Sequence, residues 1–164
     1  MNLRVHDIIE GTTVDGPGFR TSIYFAGCPH RCQGCHNPQT WDPGGGEEKS
    51  IDDIVDFIVE AENDVTLSGG DPLYQYREVE ELCCKLKALG FGVWLYTGYT
   101  YDQLIDDPKY ARVLQNIDVL VDGPFIEELR DTSLLFRGSS NQRLIDIRKT
   151  IDNGGEIVLW QSDF

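Results

Sequence analysis

The feature that most restricts the fold is an alternation along the chain. Short runs rich in apolar, β-branched or aromatic residues take turns with longer stretches whose apolar residues fall on a helical stripe. The strand-like runs are Thr21 to Phe25, Val65 to Leu67, Val93 to Tyr96 and Ile117 to Val121, with Leu3 to Ile9 before them and the weaker runs Leu144 to Ile147 and Ile157 to Trp160 after. Ser50 has the character of an N-cap for a helix carrying Ile51, Ile54, Val55, Ile58 and Val59 on one side. A second helix is expected from Leu73 to Leu89, with Val79, Leu82, Cys83, Leu86 and Leu89 as its stripe and Gly90 as its stop. Strands alternating with one-sided helices predict an α/β fold, a mostly parallel sheet joined by right-handed crossovers. Pro43 to Gly46 reads as a flexible spacer and Asp152 to Gly155 as a turn between two late strands.

Length then limits the architecture. A closed eight-stranded βα-barrel usually needs about 200 residues or more. The chain has 164, so a single domain over residues 1–164 with five or six mostly parallel strands makes only an open, partial (βα) barrel. Glycines mark where its ligand would lie. Gly27, Gly69, Gly70, Gly98 and Gly123 all sit just past the ends of predicted strands. In parallel α/β folds ligands bind at the carboxyl ends of strands, and a residue without Cβ lets backbone approach them closely. Any one of these glycines alone is accounted for by a tight turn.

Charge excludes one class of partner. With 28 acidic against 14 basic residues the formal charge is -14, which argues against a surface that tracks nucleic-acid phosphates. No apolar stretch reaches the roughly 20 residues of a membrane span, and Asp7 and Glu10 stand where a secretory signal would be basic and then apolar. The expectation is a cytoplasmic protein, whose cysteines serve as ligands or core thiols and not as disulfides.

Three of the five cysteines, Cys28, Cys32 and Cys35, have the spacing C-x3-C-x2-C. That is also the spacing of one helical face, but Gly27, Pro29, Gly34 and Pro38 break a helix before, within and after the segment. In a loop the three thiolates can converge. With His30 or His36 they could hold zinc, although structural zinc sites usually combine two close-spaced pairs from separate turns. An iron-sulfur cluster held by three thiolates fits the spacing better and leaves one iron open. Cys83 belongs to an apolar stripe and reads as core, and neither Cys84 nor His6 carries a chemical role.

The loop G27-C-P-H-R-C-Q-G-C-H-N-P-Q-T-W41, preceded by D15-G-P-G-F-R20, resembles the radical S-adenosylmethionine (SAM) enzymes that activate glycyl-radical proteins. S68-G-G-D-P72 is similar to the segment that holds the methionine part of SAM, with Asp71 where many members carry Glu. V119-L-V-D-G-P-F125, F136-R-G-S-S-N-Q142 and Gly34 before the third cysteine are similar to one branch, the anaerobic ribonucleoside-triphosphate reductase activating proteins. The likeness runs from about Val14 to Gln142; the pyruvate formate-lyase activases share the Asp15 to Asp42 block nearly as well.

The resemblance implies a radical SAM type of fold and a [4Fe-4S] cluster on Cys28, Cys32 and Cys35. It also implies SAM contacts from Gly34, Cys35, His36, Gly69, Gly70 and Asp71. Asp71 serves there either as a countercharge or only as the N-cap of a helix opening at Pro72, and His36 either touches the ligand or is a neutral loop histidine. The hard chemistry belongs to the cofactors, so no protein acid or base is required. The partners implied are the large subunit of an anaerobic ribonucleoside-triphosphate reductase, as protein substrate, and an electron donor from outside the chain. A zinc-binding module and a radical SAM enzyme acting on a small molecule are the competing readings. Phe125, Phe136 and Arg137 lie in segments that could line the open side of the barrel, with buried packing the alternative for the two phenylalanines.

Overall fold

In a computed structural model, in which residues 1–162 are described, the chain forms a seven-stranded sheet with five α-helices. The strands are β1 (Asn2–Thr12), β2 (Arg20–Phe25), β3 (Glu47–Ser50), β4 (Asp64–Gly69), β5 (Val93–Tyr96), β6 (Val119–Asp122) and β7 (Arg143–Asp146). The helices are α1 (Ile51–Ala61), α2 (Tyr76–Ala88), α3 (Tyr101–Ile105), α4 (Pro108–Leu114) and α5 (Ile147–Asp152). Their order in the sheet is β3-β1-β2-β4-β5-β6-β7. The four central strands β2, β4, β5 and β6 are parallel, whereas β1, β3 and β7 join antiparallel at the flanks. The sheet has two edges and stays open among the described residues.

Register explains why the sheet is covered on one side only. Ile23 pairs with Leu67, Leu67 with Leu95, Leu95 with Leu120 and Leu120 with Ile145, so one row of apolar side chains crosses five strands. Since successive residues of a strand face opposite ways, this row and its neighbours Phe25, Val65 and Val93 meet the helix stripes in one core. Ile51, Ile54 and Ile58 come from α1, Val79, Leu82, Cys83 and Leu86 from α2, and Leu104, Val113 and Ile147 from the later helices. The other face presents Arg20, Ser22, Tyr24, Thr66, Trp94, Val119 and Val121, and only loops and the segment around Trp160 cover it.

Local chemistry sets the helix ends. Ser50 caps α1 by accepting the Asp53 amide at 3.1 Å, as its sequence position predicts. At the end of α2 the Phe91 amide donates to Leu86 O and the Gly90 amide to Lys87 O, with Gly90 at φ +90°. That pairing needs a left-handed residue, which glycine supplies without strain. The helix begins later than Leu73, because Pro72–Gln75 first makes a 3-10 turn.

Several expectations are corrected. There are seven strands where five or six were expected; β3 is hidden in the sequence because Glu47, Glu48 and Lys49 give no apolar alternation. Ile157 to Trp160 forms only an isolated bridge, Ile145 to Leu159, since the Val158 amide is diverted to Thr150 Oγ1 of α5 at 3.0 Å. The turn over Asp152 to Gly155 accordingly closes α5 instead of joining two strands. Pro43 to Gly46 is no loose spacer either: Arg4 donates to the carbonyls of Gly44, Gly45 and Gly46, each at 3.0 Å. Helices α3, α4 and α5 are too short for a periodic stripe to reveal them.

Candidate cluster and cofactor site

The Gly27–Trp41 loop leaves the end of β2 and returns on itself. Gly27 N donates to Thr40 O at 2.7 Å and Cys28 N to Trp41 O at 3.2 Å, cinching the base. Positive φ at Gly27, Arg31 and Gly34 (+100°, +48° and +76°) turns the backbone away from any helix, as the glycines and prolines predict. All three cysteines are half-buried and line one cavity of about 600 Å³.

The sulfurs receive amide hydrogens. Burial pushes the Cys28 thiol up, while hydrogen bonds from the backbone of His30 and Arg31 work the other way. Burial likewise raises Cys32, opposed first by the backbone of Phe125, and the Asn37 amide lies 3.4 Å from Cys35 Sγ. For Cys28 and Cys32 burial outweighs these amide donors and favours the neutral thiol, the form a thiol loses only when it binds a metal. Among the described residues no three His, Cys, Asp or Glu side chains are grouped closely enough to hold one metal ion. A four-iron cube spreads its thiolates further apart than a single ion does, so a donor set of three thiols around a shared cavity fits a cluster.

The rest of the cavity wall comes from strand ends and from one long return loop. Ser68 and Gly69 end β4 and Gly70 follows it, Thr97 and Gly98 follow β5, and Gly123 follows β6. Phe125, Phe136 and Arg137 also line it, as does the exposed His36, whose ring meets Phe125 edge-on at 5.4 Å. Phe136 at once packs on Trp94, at 5.5 Å, and adopts φ +59° with its carbonyl accepting the Tyr96 hydroxyl. Among the described residues, two wall donors have no protein partner, Trp41 Nε1 and Arg137 Nε, and Arg137 is the one lysine or arginine lining the wall. Unpaired donors beside glycine-lined strand ends fit a ligand with acceptor groups, such as the carboxylate of an amino-acid moiety.

The glycines prove to have a second reason. A Cβ on Gly69 would lie 2.3 Å from Phe25 N, and one on Gly70 2.4 Å from Gly27 O. Both therefore let the β4 end pass against β2 and the cysteine loop, quite apart from any ligand. Gly34 faces outward: its carbonyl accepts from Arg130 at 3.2 Å, and a Cβ there would meet the Glu127 carboxylate carbon at 2.9 Å. Asp71 is 1% exposed and lies behind the cavity wall. Of the two readings of this residue, the cap is present: Oδ1 accepts the Leu73 amide at 2.9 Å. Its Oδ2 accepts from Thr97 Oγ1 at 2.8 Å, from the Gly98 amide at 3.0 Å and from His30 Nε2 at 2.7 Å.

A model described as a 4Fe-4S single cluster domain matches residues 14–145, a span that takes in the three cysteines and the cavity wall from Val14 onward. The anaerobic ribonucleoside-triphosphate reductase-activating protein of Escherichia coli (strain K12) is 35% identical over 157 residues, covering 89% of this chain and 100% of the relative. That of Vibrio cholerae serotype O1 is 38% identical over 151 residues, covering 85% and 96%. Enterobacteria phage T4 carries one 35% identical over 139 residues, covering 80% and 86%. The chain belongs to the family of anaerobic ribonucleoside-triphosphate reductase-activating proteins.

Within this family member, two polar groups escape a reading of the sequence. Asp15 lines the cavity and accepts from Tyr24 at 2.6 Å and Ser22 at 3.1 Å, while its carbonyl accepts from Thr66. Arg20, 3% exposed, donates to Thr66 Oγ1 and Val65 O at 2.8 Å and to Pro17 O at 3.3 Å, and stands 5.5 Å over Trp94; burial pulls its guanidinium below the ordinary value. Asp15 and Arg20 bound the D15-G-P-G-F-R20 motif, so the signal was there without a role attached. The second group is His30 with Asp71, read from the sequence separately, His30 as a possible zinc ligand and Asp71 as a SAM countercharge or a helix cap, with nothing to pair them.

Proposed function

We propose that this protein is a radical SAM activase that generates a glycyl radical on anaerobic ribonucleoside-triphosphate reductase. The observation that carries the reading is the shared cavity: three half-buried cysteine thiols open onto the glycine-lined ends of β4, β5 and β6. Cys28, Cys32 and Cys35 would hold a [4Fe-4S] cluster, leaving one iron without a protein thiolate. SAM would lie along Ser68, Gly69 and Gly70, with Cys35 and His36 on the cluster side and Arg137 facing its carboxylate. Gly34 and Asp71 would then act from behind the wall, as shape and support. When bound, a reduced cluster would supply the one electron for reductive cleavage of SAM, the chemistry that would let a reductase glycine lose its Cα hydrogen.

What the chain itself contributes is placement. The sheet face without helices would be the inner face of a partial (βα) barrel of the radical SAM type, with residues 1–164 acting as one domain. Its open side suits a substrate too large to enclose, a loop of another protein. The names of the relatives point to the reductase as that protein. An electron donor must come from outside the chain, and the cytoplasm, anaerobic at the time of action, is the compartment such chemistry requires. No helix among the described residues is long and apolar enough to cross a membrane.

The test is direct. Reduced, iron-loaded protein mixed anaerobically with SAM and the reductase from the same source should give an organic radical with a doublet signal on the reductase, together with methionine and 5′-deoxyadenosine. The signal should vanish when the target glycine becomes alanine. A radical on a formate-lyase-type enzyme and none on the reductase would overturn the reading.

A further inference from the structure

His30 sits between two cysteines, yet its side chain turns to the strand ends. Its ring lines the cavity, 16% of the side chain is exposed, and it stands edge-on to Tyr99 at 4.5 Å. Nε2 is 2.7 Å from Asp71 Oδ2. A carboxylate only accepts, so Nε2 carries the hydrogen. Through that one oxygen the cysteine loop is tied to Thr97 and Gly98 at the end of β5, and through Oδ1 to the turn that follows β4.

The ring also packs closely on Gly98, whose amide shares the same carboxylate oxygen. A Cβ on Gly98 would lie 2.4 Å from His30 Cδ2 and 2.6 Å from Cγ. Gly98 needs no unusual backbone angle, since its φ lies outside the left-handed region, so room for the imidazole is the reason for glycine there.

From this arrangement we infer that His30 is a positioning residue: held by Asp71 and packed against Gly98, it fixes the orientation of the cysteine loop, and hence of the open iron, relative to the strand ends proposed to hold SAM. The inference rests on the proposed function and adds to it a residue whose task is alignment and not ligation. Groups behind the ligands of a metal site commonly govern affinity by about ten-fold or more.

The full chain, anaerobically reconstituted, tests it without any partner or turnover. Iron content and the electron paramagnetic resonance spectrum of the dithionite-reduced cluster are followed as SAM is titrated in. His30→Ala should keep most of its iron, since all three cysteines remain, but need about ten-fold more SAM for the spectral change seen in the wild type. His30→Gln, whose amide can donate to Asp71, should recover most of that loss. Gly98→Ala should weaken the response by displacing the ring, and the double variant Gly98→Ala/His30→Ala should be no worse than His30→Ala alone, a non-additivity expected only of residues in contact. A His30→Ala response equal to wild type overturns the inference alone, as does loss of iron in both His30→Ala and His30→Gln, which would make the ring a requirement for folding the loop. A wild-type cluster whose spectrum ignores SAM overturns the proposed function, and the inference with it.

Discussion

The two faces of the sheet are built by different rules. The helix-covered face is a continuous apolar layer in which Ile23, Leu67, Leu95, Leu120 and Ile145 have 0% exposure. Its partners are interchangeable in kind, and what matters is volume. The loop-covered face is polar and aromatic, and each residue there answers to a named neighbour: Arg20 to Thr66, Tyr24 to Asp15, Tyr96 to Phe136. The first face makes the protein stable; the second, with the strand ends beside it, makes the site. Substitutions should separate the two.

The largest effect is expected at the cysteines. Replacing Cys28, Cys32 or Cys35 by Ala should strip most of the iron from reconstituted protein, whereas Cys83→Ala, in the helix-covered core, should leave iron content unchanged and lower only the unfolding midpoint. Brown protein from a Cys28→Ala preparation would break the comparison at its root. Next come the glycines of the cavity wall. Gly69→Ala and Gly70→Ala push a Cβ against backbone atoms that have nowhere to go, so both should lose iron loading along with stability, measured by iron assay and thermal melt together. Loss of SAM binding alone would show that their contact with the β2 end and the cysteine loop is easily relieved.

A third pair sets one face directly against the other. Leu95→Ala should cost about 2–5 kcal/mol by leaving a cavity among the helices, read by denaturant unfolding, with the cluster spectrum of the remaining folded protein intact. Thr66→Val removes an acceptor from the buried Arg20 and a donor from Asp15 O; it should cost about 1–3 kcal/mol and also alter the SAM response, because Asp15 lines the cavity. The smallest effect is alkaline. Burial, reinforced by Asp15, raises the Tyr24 phenol, burial raises Tyr96, and Tyr99 is pushed up to about 12, by burial first and then by Tyr110. Unfolded tyrosines ionise near pH 10. Above that pH the unfolded chain binds fewer protons than the native one, so stability is full below about pH 10 and falls as pH rises toward the folded values. Unfolding followed against pH should show this decline, and Tyr24→Phe should make it shallower.

The helix-covered face was also the more legible one in sequence. Its strands show as Thr21 to Phe25, Val65 to Leu67 and Val93 to Tyr96 because burial from a helix layer selects β-branched and aliphatic residues, and the stripes of α1 and α2 follow from the same burial. The site was legible where chemistry dictates residue type at fixed spacing, as in the cysteine loop, and where backbone needs glycine. It was not legible where side chains of the candidate site meet across long stretches of sequence. Asp71 meets His30 across 41 residues, and Arg20 meets Thr66 across 46. Nothing local marks such pairs. Even the glycines carried a double meaning: Gly70 clears the Gly27 carbonyl and Gly98 clears the imidazole, and no spacing rule distinguishes either from a ligand-clearing glycine.

The edges of the sheet bear on how a large partner can approach. On one side β3 presents Glu47, Glu48 and Lys49, and charge on an edge strand discourages pairing with a foreign one. On the other, the outer side of β7 is already occupied, with Asp146 donating to Val158 O and Leu144 accepting from Trp160. Growth of the sheet by a strand from another molecule is thus discouraged at both ends. A visiting protein meets a molecule that will not zip to it along its flank. On the proposed function, a reductase loop would come in instead over the loops at the strand ends, where the cysteines are.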